Sequence, residues 1–224
     1  MSLTDRRIRG LYVIVDPAAC RGRDPVAIAR DALDGGTRAV QWRDKLRDKG
    51  DQLADARAIA SLCREHDATF IVNDHTDLAL AAGAHGVHLG QRDLPIGEAR
   101  RLWPAPGKRF GLSTHNEREA LIASRLSPDY IGVGPVFATP TKAVPDPVLG
   151  PGRMGTIIRS VPVPAVALGG IDGGNLAEVL RRGARNFCVV RAVNLRPDPE
   201  TAIRELQCIW RQVTNGNRAL RTVP

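Results

Sequence analysis

The chain has 224 residues, enough to bury a substantial core, and its 43% hydrophobic and 25% charged content is that of an ordinary globular protein. No apolar run approaches the roughly 18 residues of a membrane span and "MSLTDRRIRG" lacks the apolar stretch of a secretory signal, so a cytoplasmic protein without membrane partners is expected. The net charge of +8 admits nucleic acids or phosphorylated small molecules, but only 4% of residues are aromatic, poor material for stacking bases, so nucleic acid is not the expected partner.

Short Val- and Ile-rich runs alternate along the chain with Ala/Leu/Arg segments of helical spacing. "LYVIVD" (11–16) predicts a first strand, followed by a helix over 25–34 that Asp24 and Pro25 would start. "AVQWRD" (39–44) precedes a helix over 51–66, "TFIVND" (69–74) one over 76–82, and "GVHLG" (86–90) one over 96–102. "RFGLST" (109–114) leads into a helix over 116–125 that opens on Asn116 and Glu119. "YIGVGPV" (130–136), "PAVALGG" (164–170) and "FCVVRAV" (187–193) are followed by helices over 153–159, 174–182 and 199–213. Eight strand–helix units predict parallel strands joined by right-handed crossovers, and hence a single-domain (β/α)8 TIM barrel with its core over residues 10–213. An open doubly wound sheet is the alternative, but "VDPAACRGRD" carries no glycine-rich dinucleotide turn.

In such a barrel the chemistry sits at the C-terminal ends of the strands. Those ends carry Gln41, Arg43 and Lys45, then Asn73 and Asp74, then Gln91 and Asp93. Farther along come Ser113 and His115, then Thr139, Thr141 and Lys142, then Gly169 and Gly170, and finally Arg191 on the eighth strand. Gln41, Arg43 and Lys45 alternate with their neighbours and would share one face, which suits an anion. Asp74 and Asp93 come from adjacent strands and can share a hydrated cation such as Mg²⁺; alternatively each caps the helix that follows it. "GPVFATPTK" offers hydroxyls and backbone N–H groups to a second anion, or is a proline-stiffened surface loop. His85 and His88 have no third ligand in view and read as core or surface residues. Ser113 and His115 lack the acid partner of a nucleophilic set. The four cysteines form no CxxC pair and read as reduced structural thiols.

"VQWRDK", "VNDHTDLALAAGAHGVHLGQRD", "GLSTHN", "VGPVFATPTK" and "LGGI", in this order, resemble the motifs of thiamine phosphate synthase across residues 10–205. That resemblance implies a (β/α)8 barrel that joins a hydroxymethylpyrimidine diphosphate to a hydroxyethylthiazole phosphate with Mg²⁺, giving thiamine phosphate and pyrophosphate. It further implies that Gln41, Arg43, Lys45, Asn73, Ser113 and Lys142 bind the pyrimidine diphosphate and that Asp74 and Asp93 hold the metal. Thr139, Pro140, Thr141, Gly170, Val190 and Arg191 would take the thiazole phosphate. One departure stands out: where the family has a small serine in a "VSAI"-like motif, this chain has "VRAV", with Arg191 either gripping the phosphate or obstructing the pocket. The rival readings are a thiazole tautomerase-like enzyme and a non-catalytic phosphate-ligand-binding barrel.

Overall fold

The computed structural model describes residues 8–141 and 146–219. Eight parallel strands close into a barrel in sequence order, β8 pairing with β1. The strands are β1 (Leu11–Val15), β2 (Ala39–Trp42), β3 (Thr69–Asn73), β4 (Gly86–Leu89), β5 (Arg109–Thr114), β6 (Tyr130–Val133), β7 (Ala165–Ala167) and β8 (Asn186–Val189). Around them lie α1 (Pro25–Asp34), α2 (Lys49–Glu65), α3 (Thr76–Ala81), α4 (Ile96–Leu102) and α5 (Glu117–Arg125). They are completed by α6 (Gly150–Ser160), α7 (Leu176–Arg181), α8 (Arg191–Asn194) and α9 (Pro199–Ala219). The barrel expected from the alternation is the one observed.

Two of the expected helix starts form as the sequence implies. Asp24 accepts the Val26 N–H at 2.9 Å beside Pro25, and Asn116 accepts from the Glu119 N–H at 2.9 Å while Glu119 accepts from the His115 N–H at 2.7 Å. Two layers of apolar side chains hold the barrel. The larger lies between strands and helices and includes Trp42, whose indole N–H donates to Gln52 on α2 at 3.1 Å. The smaller fills the barrel itself with Tyr12, Ala39, Ile71, Tyr130, Val166 and Cys188.

Several strands end earlier than expected, β7 among them at Ala167. β2 stops at Trp42, so Arg43 and Lys45 lie in the loop beyond it. β6 stops at Val133, because Pro135 has no N–H to give the ladder. The largest correction is at β8: the continuous apolar run "FCVVRAV" divides, and Arg191 opens helix α8 instead of continuing the strand. An apolar run of this length fits strand or helix equally well, and tertiary contacts decide.

Those contacts centre on Asn194, which is fully buried. Its side-chain amide donates to the carbonyls of Val190 and Ile14, both at 2.9 Å, and its oxygen accepts from the Asp16 N–H at 2.9 Å. One side chain thus closes the α8 turn and fastens it to the end of β1. Asn194→Ala leaves these buried groups unpaired and is expected to lower unfolding stability by about 2–3 kcal/mol, read from the urea midpoint at constant slope.

Candidate active site

A cavity of about 1030 Å³ opens at the C-terminal end of the barrel. Gln41, Arg43, Asn73, Ser113, Thr139, Pro140, Thr141, Gly170, Val190 and Arg191 all line it, although they come from six different strand ends. Lys45, Asp74 and Asp93 do not line it; they form a cluster next to Asn73. Lys142 lies outside the described residues.

On the β2 side, Gln41 is buried and its amide donates to the Tyr12 hydroxyl at 2.8 Å. Arg43 is paired with Asp16, which is buried at the end of β1 and also accepts from the Ala18 N–H at 3.0 Å. The ion pair aims the guanidinium, because a buried carboxylate leaves its partner few alternative positions. Lys45 pairs with Asp74.

Neither aspartate caps a helix. α3 begins after His75 and α4 after Pro95, both without a side-chain cap. Asp74 instead sits at φ +62°, a left-handed conformation uncommon outside glycine, with its N–H on the His88 carbonyl at 2.8 Å. Asp93 accepts from the Gly90 N–H at 2.6 Å. Burial first, and then the adjacent Asp74 carboxyl, push the Asp93 carboxyl above its usual range. Two carboxylates that disturb one another are chemically suited to a hard, hydrated divalent cation. Among the described residues no group of three or more acidic, His or Cys side chains is placed to hold a metal.

On the opposite side, the loop after β6 lies against the end of β7: the Val136 and Phe137 N–H groups donate to Leu168 and Gly169 at 2.8 and 3.0 Å. Gly169 and Gly170 have φ +98° and +64°, and a Cβ on Gly170 would come within 2.7 Å of the Ala138 carbonyl. Their glycine character is thus a steric requirement of this junction. The Thr139 and Thr141 hydroxyls are 2.9 Å apart. Arg191 is exposed at the border of the cavity and makes no ion pair or side-chain hydrogen bond among the described residues. His115 is anchored by Nδ1 on the Gly134 carbonyl at 2.8 Å and by Nε2 near Asp146 at 3.5 Å, so it is not disposed as a base for Ser113.

Three functional candidates escaped the sequence reading: Tyr12, Tyr130 and His88. All are buried, and all line the cavity floor. His88 stacks on Tyr130 with ring centroids 5.4 Å apart and meets the Ser113 hydroxyl at 2.9 Å. Gly111 makes room for both, since a Cβ there would stand 2.6 Å from His88 Nδ1. No local signal marks them: Gly111 comes beside His88 only when β4 pairs with β5.

The raised Asp93 carboxyl gives a pH prediction. A folded-state pKa above the unfolded value favours the fold while the group is protonated, and that contribution is lost as pH rises through the raised value. In chelator at pH 7 Asp93 therefore costs stability. Asp93→Asn is expected to melt at higher temperature than the parent there, with the gap closing below about pH 4.

The chain matches the family model described as thiamine monophosphate synthase over residues 11–193. It is 44% identical over 196 residues to the thiamine-phosphate synthase of Methanospirillum hungatei, covering 88% of this chain and 95% of that one. It is 44% identical over 197 residues to that of Chlorobium limicola, covering 88% and 93%. Among solved structures, thiamine phosphate pyrophosphorylase from Pyrococcus furiosus matches with a TM-score of 0.85 at 36% identity, over 95% of this chain and 99% of that one. Sequence and architecture agree over nearly the full length of those proteins, and the chain belongs to the thiamine monophosphate synthase family.

Proposed function

We propose that this protein is a thiamine-phosphate synthase, a transferase that couples hydroxymethylpyrimidine diphosphate to hydroxyethylthiazole phosphate and releases pyrophosphate. The observation that carries the reading is one cavity lined by anion-seeking groups from several strand ends: Arg43 after β2, the Thr139 and Thr141 hydroxyls after β6, and Arg191 at the start of α8.

Asn73 and Ser113 line the same cavity and would orient the pyrimidine. Arg43 and Lys45, with Lys142, would grip the diphosphate. During the reaction the bond from the pyrimidine methylene carbon to the diphosphate oxygen breaks, and the thiazole nitrogen bonds to that carbon. Negative charge gathers on the departing diphosphate, and cations already held in place stabilise it more than they stabilise the intact substrate. Arg43 is such a cation, because Asp16 holds its guanidinium before substrate arrives. Asp74 and Asp93 would hold Mg²⁺, which when bound supplies further neutralisation of the diphosphate oxygens. The Asp74–Lys45 pair keeps one of these carboxylates engaged until a cation or an anion competes for its partner. No general base is required, and His115, tied to Gly134 and Asp146, is not offered as one. Positioning of two anionic substrates in one cavity would supply most of the rate.

Arg191 supports the thiazole phosphate half of this reading. It borders the cavity from an exposed position instead of filling it, and its fork of donors is suited to bidentate phosphate binding. Arg191→Ser is expected to raise KM for the thiazole phosphate about tenfold with little change in KM for the pyrimidine diphosphate. A lowered KM would mark the arginine as an obstruction.

The purified protein given both substrates should release pyrophosphate and form thiamine phosphate in equal amounts with Mg²⁺, and neither with chelator. Binding of thiazole phosphate without pyrophosphate release would overturn the proposal in favour of a tautomerase or a binding protein.

A further inference from the structure

Beneath the cavity, five side chains from five strands form one continuous hydrogen-bonded chain. Gln41 Nε2 meets the Tyr12 hydroxyl at 2.8 Å, Tyr12 meets Tyr130 at 3.1 Å, Tyr130 meets His88 Nδ1 at 3.1 Å, and His88 Nε2 meets Ser113 Oγ at 2.9 Å. Gln41, Tyr12, Tyr130 and His88 are each at most 6% exposed. Burial pushes both tyrosine hydroxyls above their ordinary range, so each keeps its single proton.

A phenol has one hydrogen to donate, and a neutral imidazole has one donating and one accepting nitrogen. With each hydrogen required to meet an acceptor within the chain, these bonds cannot be oriented independently. If Gln41 donates to Tyr12, the Tyr12 hydrogen is free for Tyr130, and that of Tyr130 for His88 Nδ1. The imidazole hydrogen is then on Nε2, directed at Ser113 Oγ. Reversing the Gln41 amide reverses every bond: His88 carries its hydrogen on Nδ1, and Ser113 must spend its own hydrogen on Nε2. The structure has the amide nitrogen, not the oxygen, on Tyr12, and the Gln41 oxygen takes no hydrogen bond among the described residues.

We propose that this chain is wired in one direction, from Gln41 to Ser113, and that His88 and Tyr130 are positioning residues that make Ser113 a donor into the cavity. Ser113 accepts from His88 and presents its own hydrogen to an acceptor such as a ring nitrogen, while Gln41 presents its oxygen to a donor such as an exocyclic amine. An aminopyrimidine carries both groups. The substrate half of this inference rests on the coupling reaction proposed above; the wiring does not.

The test is a long-range ¹H–¹⁵N spectrum of the full chain labelled at histidine, with neither substrate nor metal. The His88 resonances are identified among the five histidines by their loss in His88→Gln. The expected result is the Nε2–H tautomer, and an Nδ1–H tautomer overturns the proposal. Tyr130→Phe keeps the ring that stacks on His88 and removes only the donor to Nδ1. It should move the Nδ1 resonance and raise KM for the pyrimidine diphosphate about 3- to 10-fold, with KM for the thiazole phosphate unchanged. An unmoved Nδ1 resonance, or an equal rise in both KM values, overturns the positioning role. The tautomer is decided whether or not thiamine phosphate forms, so failure of the wiring and failure of the proposed reaction are separate results.

Discussion

Closure of eight parallel strands brings every strand end to the same rim, and inside the ring there is room for few side chains. Gly111 shows how tight that interior is. Its missing Cβ is the space in which the His88 and Tyr130 rings stack, and that stack is the floor on which Ser113 and the cavity rest. The polar groups of the floor satisfy one another across strands that are distant in sequence, Tyr12 with Tyr130 and His88 with Ser113. The interior is thus both a packed core and the base of the site, and neither can be altered without the other.

The electrostatic design of the rim is one of prior engagement. Arg43 is held by buried Asp16, and Asp16 is in turn fixed through its backbone N–H by Asn194. A guanidinium held this way pays little orientational entropy when an anion arrives, while the carboxylate behind it moderates how tightly that anion is kept. Lys45 and Asp74 have a looser arrangement, with half of the lysine side chain exposed, so this pair can separate when a stronger partner enters. Asp93, crowded by Asp74, favours whatever relieves the two charges, a proton or a cation.

The barrel is legible in the sequence because eight Val/Ile runs alternate with helical segments and few other folds satisfy that pattern. The rim residues are legible because polar groups interrupt the ends of otherwise apolar strands. What periodicity misses follows from the burial of parallel strands on both faces. Nothing in "GVHLG" distinguishes a histidine aimed into the barrel from one packed under a helix, so His88 reads as generic core. Tyr12 and Tyr130 are equally silent, since their hydroxyls meet only after closure. The turn at Arg191 escapes for another reason. Whether "VRAV" extends or coils is settled by Asn194 reaching back to Ile14, about 180 positions away in sequence. The aspartates read locally as helix caps, but Asp74 adopts a left-handed backbone and both carboxylates turn toward each other instead.

The junction between Gly169–Gly170 and the loop after β6 has an implication for how this barrel can diversify. Backbone meets backbone there, with Pro135, Phe137 and Ala138 against the two glycines, so neither loop presents a surface that yields. A change of shape on one side has to be answered on the other within the same variant. Libraries that randomise the two segments separately will sample mostly collisions, whereas exchanging them together as a matched pair between related barrels preserves the contact. The unit of inheritance on this side of the rim is the joined pair of loops, and co-variation between the two should be sought before either is redesigned.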